Sequence, residues 1–172
     1  HRFRERFGDE SGKRVVGWDL AELDIRDGGA VLEALGKLRP SVVANAAAYT
    51  DVDDCETHVE LAMAVNGQGP GNVARACREI GATVVHFGTD FIFDGLSRRP
   101  YRPDDTPRPL SVYGCSKWEG EKAVRTAGCR YLIVRSSWMF GPLGHNFVEA
   151  ILARVSAEQP LQVVSDQVGS PT

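Results

Sequence analysis

The stretch Gly81-Ala82-Thr83-Val84-Val85-His86-Phe87-Gly88-Thr89 decides the fold of this chain. Its β-branched and nearly unbroken apolar residues predict a buried strand over residues 82–87. A helical pattern over residues 69–80 comes directly before it and ends at Gly81, as helices often do. A buried strand that follows a helix is typical of a parallel sheet, because parallel strands need long crossover connections.

The same alternation of short apolar runs and helical patterns continues on both sides. The other predicted strands are residues 14–18, 41–45, 130–135 and 161–164. The other predicted helices are residues 1–7, 29–38, 59–66 and 146–155, and a helix that carries Tyr113 and ends near residue 127. Four prolines predict a loop over residues 94–111. This order predicts an α/β fold, a doubly wound, mostly parallel, Rossmann-like sheet with helices on both faces.

The composition argues against several classes of protein. The 172 residues suffice for one domain with a core, and the net charge of -3 offers no basic surface for nucleic acid. No apolar run approaches the ~20 residues of a membrane span. The four cysteines form no C-x-x-C pair, which favours reduced thiols in a cytoplasmic protein and predicts no metal site. The chain begins without methionine and stops directly after Pro171, so we expect a fragment of a longer polypeptide that is cut at both ends.

Tyr113 and Lys117 are the first candidates for catalysis. Residues four apart lie on one face of a helix, so this pair would place a phenol beside an ammonium. A phenol has a pKa near ~10 in water, and a neighbouring cation lowers it towards the range of a proton-transfer group. A Tyr-x-x-x-Lys spacing is also found in ordinary surface pairs, so the motif alone leaves both interpretations open.

A doubly wound sheet binds its ligands at the carboxyl ends of its strands. After residues 41–45, the small side chains of Ala46, Ala47 and Ala48 would let a flat ligand approach the backbone, or they could pack a helix against the sheet. After residues 82–87, Thr89 could donate a hydrogen bond to a substrate carbonyl, or belong to a Thr-Asp turn.

Two further strand ends carry candidate side chains. Trp138 follows residues 130–135 and offers a flat face to a sugar or base ring, although a core aromatic would explain it as well. Asp19 and Asp24 follow residues 14–18. Either carboxylate could accept from a ribose hydroxyl or an adenine amino group, or serve as a helix cap or turn residue.

Taken in order, five blocks resemble the dTDP-4-dehydrorhamnose reductase family, within the extended short-chain dehydrogenases/reductases. The blocks are Asn45-Ala46-Ala47-Ala48-Tyr49-Thr50, Thr89-Asp90-Phe91-Ile92-Phe93-Asp94-Gly95, Tyr113-Gly114-Cys115-Ser116-Lys117, Arg135-Ser136-Ser137-Trp138 and Asp166-Gln167-Val168-Gly169-Ser170-Pro171-Thr172. The first, second and last blocks are specific in combination, whereas the whole superfamily shares Tyr-x-x-x-Lys. The similarity runs from about Gly17 to the end of the chain.

The resemblance implies an NADPH- or NADH-dependent oxidoreductase. It would reduce the C4 ketone of dTDP-4-dehydro-L-rhamnose to dTDP-L-rhamnose, a precursor of cell-surface polysaccharide, so the implied partner is a nucleotide sugar, with a homodimer left open. The implied catalytic residues are Thr89, Tyr113 and Lys117, and the implied substrate contacts are Thr89, Asp90 and Trp138. The implied cofactor-binding residues are Asp24, Ile25, Ala47, Ala48, Tyr49, Thr50, Asn66, Tyr113 and Lys117. In this scheme Tyr113 donates the proton, while Lys117 holds the nicotinamide ribose and lowers the pKa of Tyr113.

One family feature is missing from the sequence, since no G-x-x-G-x-x-G occurs in it. We expect residues 1–172 to form a single, incomplete NAD(P)-binding domain. The first strand and the Gly-rich phosphate loop would precede it, most of the substrate-binding part would follow it, and the fragment alone would be inactive. Two rival functions stay open, a non-catalytic regulatory subunit of the methionine adenosyltransferase type and another nucleotide-sugar epimerase or dehydratase. The cofactor is open too, because Asp24 favours a free ribose hydroxyl whereas Arg26 could receive a 2′-phosphate.

Overall fold

The centre of the fold is a parallel three-stranded sheet. The computed structural model describes residues 14–141, 146–163 and 169–170. The strands are β1 (Val42–Asn45), β2 (Thr83–Thr89) and β3 (Arg130–Ser136), in the order β1-β2-β3. Asn45 lies opposite His86, and Thr89 lies opposite Ser136. The parallel pairing and the helical crossovers confirm the predicted Rossmann-like α/β fold.

Helical segments connect the strands. The α-helices are α1 (Gly28–Leu38), α2 (Val52–Thr57), α3 (Val59–Ala62), α4 (Gly69–Ile80), α5 (Val112–Thr126) and α6 (Phe147–Ser156). A π-helix, Met63–Gln68, joins α3 to α4, and a 3₁₀-helix, Asp90–Ile92, follows β2. Asp27 begins α1 and Ser111 begins α5, each by accepting a backbone N–H at its side-chain oxygen. The residues between the 3₁₀-helix and α5 form the predicted irregular loop.

The main hydrophobic core lies between the sheet and the helices on one of its faces. Helices α4 and α5 pack against β2, and α1 packs against α4. Val84 is buried in this core with Val73 and Val124. On the opposite face, Val42 and Leu132 are more than half exposed. Helices therefore cover one face of the sheet in the part of the chain that the structure describes, whereas the sequence predicted helices on both.

Two predicted strands do not form. Residues 14–18 are irregular, because a strand needs a hydrogen-bonded neighbour and β1 pairs with β2 alone among the described residues. Residues 161–163 are irregular as well, while Val164 and the predicted helix over residues 1–7 lie outside the described residues. Within the described ranges, no helix is both long and apolar enough to cross a bilayer.

The helical segment between β1 and β2 also differs from the prediction. Instead of two helices with a break, α3, the π-helix and α4 form one continuous run. Gly69 does not end a helix there. It allows close packing, since a Cβ at this position would lie 2.5 Å from Cδ1 of Ile25. Helix α2 was not predicted, although its signal is visible in the sequence, because Asp51 caps it by accepting from the backbone N–H of Asp54.

Candidate active site

Helix α5 brings two predicted catalytic residues to the carboxyl end of β2. Tyr113 and Lys117 lie one turn apart on the same side of the helix, and they are only 9% and 4% exposed. Gly114 permits this close approach, because a Cβ on it would overlap the carbonyl oxygen of Phe91. The ring of Phe91 packs edge-on against the phenol of Tyr113, with ring centroids 5.5 Å apart. The pair is therefore buried against the sheet and is not an ordinary surface pair.

Thr89 ends β2 and meets Tyr113. Burial raises the pKa of Tyr113 above its usual value, more than the neighbouring Thr89 side chain lowers it. Oγ1 of Thr89 also accepts from the N–H of Phe91 and donates to Oδ1 of Asp90, both at 3.3 Å. The Thr-Asp turn considered from the sequence is present as the cap of the 3₁₀-helix, and the same hydroxyl also faces the phenol. Burial raises the pKa of the adjacent Asp90 carboxyl.

The ammonium of Lys117 is bound to the backbone of β2. Its Nζ donates to the carbonyl oxygen of Phe87 at 2.7 Å. Burial lowers the pKa of Lys117 to about 8, and the charge of Glu121 acts in the opposite direction. The sequence predicted that Lys117 would lower the pKa of Tyr113. In the structure the pKa of Tyr113 is raised, because burial disfavours the phenolate more than its neighbours favour it.

The loop after β1 lies beside this pair and is tied to α5. Ala46 and Ala47 are exposed, which favours the interpretation that a ligand can approach their backbone. Asn66 of the π-helix is buried and accepts from the N–H of Tyr49 at 2.8 Å. Its Nδ2 donates to the Tyr49 carbonyl at 2.9 Å and to Oγ of Ser116 at 3.0 Å. Both amide donors of Asn66 are thus used to hold the loop on the helix.

The predicted adenosine-side residues pack against α4. Oδ2 of Asp24 accepts from Nε and Nη2 of Arg26 at 2.8 and 2.5 Å, and this hydrogen bonding lowers the pKa of Asp24. Asn72 of α4 donates to the backbone carbonyls of Ile25 and Arg26. Asp19 acts as a turn residue, since its carboxylate accepts a backbone N–H within its own turn.

Trp138 lies two residues beyond the end of β3. It is 41% exposed, so it is not a core aromatic. Its backbone φ of 48° lies in the left-handed region. The indole contacts the ring of Phe147 edge-on at 6.2 Å, and a Cβ on Gly169 would overlap its Nε1. Residues 166–168 and 171–172 of the last sequence block lie outside the described residues.

The structure places the predicted residues in four groups. At the end of β2 are Thr89, Asp90, Tyr113 and Lys117. In and beneath the loop after β1 are Ala47, Ala48, Tyr49, Thr50 and Asn66. Asp24 and Ile25 lie just before α1, where Ile25 packs against α4, and Trp138 packs against Phe147 of α6. The first two groups are joined through the bond between Asn66 and Ser116.

Sequence reasoning missed a buried ion pair next to these groups. Glu121 is fully buried in α5, and its carboxylate accepts from Nε of Arg135 at 2.9 Å and from Nη2 at 2.7 Å. A signal was available, because Tyr113, Lys117 and Glu121 follow one another at intervals of four residues.

Comparisons with known proteins identify a family and similar solved structures. A model of the RmlD substrate binding domain family matches residues 5–172. A dTDP-4-dehydrorhamnose reductase of Streptomyces griseus is 44% identical over 165 residues, which cover 95% of this chain and 54% of the relative. The crystal structure of a dTDP-4-dehydrorhamnose reductase from Clostridium acetobutylicum has a TM-score of 0.94 at 38% identity, over 99% of this chain and 61% of that one. The Bacillus anthracis enzyme in complex with NADP also has a TM-score of 0.94, at 34% identity, over 99% and 60%.

This chain spans little more than half the length of these relatives. The family match covers nearly all of it, and the fold is shared over almost its whole length. The chain therefore belongs to the RmlD substrate-binding domain family.

Proposed function

We propose that the protein is an NADPH- or NADH-dependent reductase that converts dTDP-4-dehydro-L-rhamnose to dTDP-L-rhamnose. The observation that carries this proposal is the buried phenol of Tyr113 at the end of β2, beside Thr89 and one helical turn from the ammonium of Lys117. The names of the relatives support the same reaction. Residues 1–172 would contribute a single NAD(P)-binding domain. The four free thiols support a cytoplasmic location, where thiols stay reduced.

Tyr113 would be the proton donor to the ketone oxygen. Its raised pKa keeps the phenol protonated at neutral pH, which suits a general acid in a reduction. Thr89 lies beside that phenol and influences its pKa, so its hydroxyl would orient the same carbonyl oxygen. The ammonium of Lys117 would favour the phenolate that remains after proton transfer.

The described residues fit a nicotinamide dinucleotide. The exposed backbone at Ala46 and Ala47 offers a flat surface at a strand end, where such folds bind their ligands. The loop after β1 would line the middle of the cofactor, and Asp24 and Ile25 would border its adenosine half. Lys117 would hold the nicotinamide ribose. The bound cofactor supplies the hydride. Asp90 and Trp138 would contact the deoxysugar.

The replacement Tyr113→Phe tests the proposal. It removes the positioned acid, so we expect NADPH oxidation with dTDP-4-dehydrorhamnose to slow by ~10²-fold or more. The matched control is Tyr131→Phe, because Tyr131 lies on β3 with 41% of its surface exposed. Initial rates of the whole protein, followed at the nicotinamide absorbance, should stay near normal in this control.

Other outcomes of the same assay would contradict the proposal. A near-normal rate in Tyr113→Phe would remove Tyr113 from the mechanism. Tight nucleotide binding without any oxidation would favour the regulatory-subunit alternative. Conversion of the nucleotide sugar without net oxidation of NADPH would favour an epimerase or dehydratase.

A further inference from the structure

We propose that Glu121 is a positioning residue for the active site, whose buried carboxylate holds Lys117 as an ammonium and anchors β3 to the helix that carries Tyr113. The catalytic consequence rests on the proposed function. The electrostatic and structural parts rest only on the contacts of α5.

The carboxylate lies on the catalytic face of α5. Tyr113, Lys117 and Glu121 are four residues apart, and neighbours at this spacing have Cβ atoms about 5–6 Å apart. All three side chains are buried, and Glu121 has no exposed surface at all. A negative charge therefore lies one turn from the ammonium, in a region from which water is largely excluded.

Glu121 also connects three parts of the fold. Its carboxylate binds Arg135 of β3 in a bidentate manner, and the guanidinium of Arg125 lies 3.7 Å away. Arg135 donates in turn to the carbonyl oxygen of Pro103 at 3.0 Å and lies over the ring of Phe93. The pair thus joins α5, β3 and the proline-rich loop.

Gly88 makes room for the pair beneath β2. A Cβ on Gly88 would lie 2.5 Å from Oε1 of Glu121 and 3.0 Å from Cγ of Arg135. The residue before Gly88 binds Lys117 through its carbonyl, and the residue after it is Thr89. Three consecutive residues at the end of β2 therefore lie against α5: Phe87 accepts from Lys117, Gly88 leaves room for Glu121, and Thr89 lies beside Tyr113.

The other charged and titratable groups near this face explain why Glu121 matters for Lys117. The titratable and charged groups whose contacts or charges reach this face include His86 of β2, Arg135 of β3, Asp90 of the 3₁₀-helix, Cys55 of α2, and Tyr113, Glu121 and Arg125 of α5. The π-helix contributes Asn66, which is uncharged.

Few of these groups can balance the ammonium. Burial, together with the charge of Lys117, lowers the pKa of His86 to about 4, so that His86 is neutral at pH 7. Burial raises the pKa of the Cys55 thiol, which is neutral too. Burial also lowers the pKa of Lys117 to about 8, and Glu121 opposes this effect. Without its charge, the neutral imidazole of His86 and the cation of Arg135, which is bound to Glu121 at 2.7 Å, would remain in this region.

The replacement Glu121→Gln tests the electrostatic part directly. The titration midpoint of the Lys117 ammonium, followed by NMR of the side-chain Nζ and Cε in the labelled protein, should fall by about one pH unit or more. The alkaline limb of the pH–rate profile should move to lower pH with it. The matched control is Glu119→Gln, which removes the same charge from the exposed face of α5, where Glu119 pairs with Lys122. In this control, the titration midpoint of Lys117 should equal that of the unsubstituted protein.

A double variant separates charge from structure. Glu121→Gln leaves Arg135 buried and unpaired, whereas Glu121→Gln with Arg135→Met removes both partners and should regain stability. In the double variant the midpoint of Lys117 should rise again in part, because the cation of Arg135 is lost as well, and should stay below the unsubstituted value. An unchanged midpoint in Glu121→Gln would overturn the proposal, and so would unchanged stability in that variant. The NMR titration needs no substrate, so a shifted midpoint in a protein that reduces no ketone would contradict the proposed function and leave the role of Glu121 standing.

Discussion

Lys117 keeps its charge in a buried position, and this lowers the stability of the folded state. Its pKa is about 8 in the fold, against 10.5 for an ordinary lysine, so the folded state binds the proton less tightly than the unfolded state. Below pH 8 both states hold the proton, and the folded state carries the full penalty. As the pH rises from about 8 to 10.5, the penalty fades because the folded state releases its proton first.

Replacing Lys117 with Met should therefore stabilise the protein while damaging its function. We expect the free energy of unfolding at pH 7 to rise by about 1–3 kcal/mol in urea titrations, and the gain to shrink above pH 8. Cofactor affinity and turnover should both fall, because the ammonium is lost.

The control for this replacement is Lys122→Met on the exposed face of the same helix, which should change neither quantity strongly. A less stable Lys117→Met variant would mean that the hydrogen bond to the Phe87 carbonyl outweighs the burial of the charge. Unchanged cofactor affinity and turnover would place Lys117 outside the site.

At the scale of elements, the contact between α5 and the π-helix depends on Gly120. A Cβ there would overlap the backbone carbonyl oxygen of Asn66 and lie 3.2 Å from Cγ of Pro70. A backbone atom cannot turn aside as a flexible side chain can, so α5 would have to move away. This movement would strain the hydrogen bond from Asn66 to Ser116, which ties the loop after β1 to α5.

Gly120→Ala should destabilise the protein by roughly 2 kcal/mol or more through overpacking. Gly36→Ala is the matched control, because Gly36 lies inside α1, is exposed, and has nothing within 4 Å of the added Cβ. That variant should gain about 0.5–1 kcal/mol from helix propensity alone. Urea unfolding of both variants measures the difference. Equal stability in the two would show that α5 can shift without loss.

At the scale of the whole molecule, the stability of the fold depends on pH through His86. Its side chain is fully buried between the sheet and its helices. Burial, with a smaller effect of Lys117, lowers the pKa of His86 from 6.5 to about 4. Among the described residues, Nε2 of His86 has no hydrogen-bond partner, while Nδ1 lies 3.4 Å from Nδ2 of Asn45. The unfolded chain takes up the proton first. Stability is therefore complete above pH 6.5 and is lost as the pH falls towards 4.

This difference predicts an acid-dependent loss of about 3 kcal/mol at most from His86. In His86→Gln, the free energy of unfolding should fall less steeply between pH 6.5 and about 4 than in the unsubstituted protein. His58→Gln is the control, because it removes an exposed imidazole instead of a buried one. An unchanged slope in His86→Gln would show that other groups cause the loss of stability in acid.

Much of the fold could be predicted because local sequence carries strong signals. The strands β1, β2 and β3 are apolar, β-branched runs with clear limits. They form where the sequence predicted them. The helix of Tyr113 was predicted with its end correct to within a residue. Residues 14–18 have the same local pattern but form no strand. A strand needs a hydrogen-bonded partner strand, and the local sequence does not show whether one is present.

The amino-acid sequence by itself determined the order of the elements, the strand ends that carry polar side chains, and the residues of the candidate site. Only the tertiary structure decided the ionisation of that site. The pKa of Tyr113 rises although a lysine lies one turn away, and the ammonium binds a carbonyl thirty residues earlier in the chain. The partner of Glu121 comes from another strand. Burial and contacts between distant segments control these properties, and neither is encoded in the spacing of neighbouring residues.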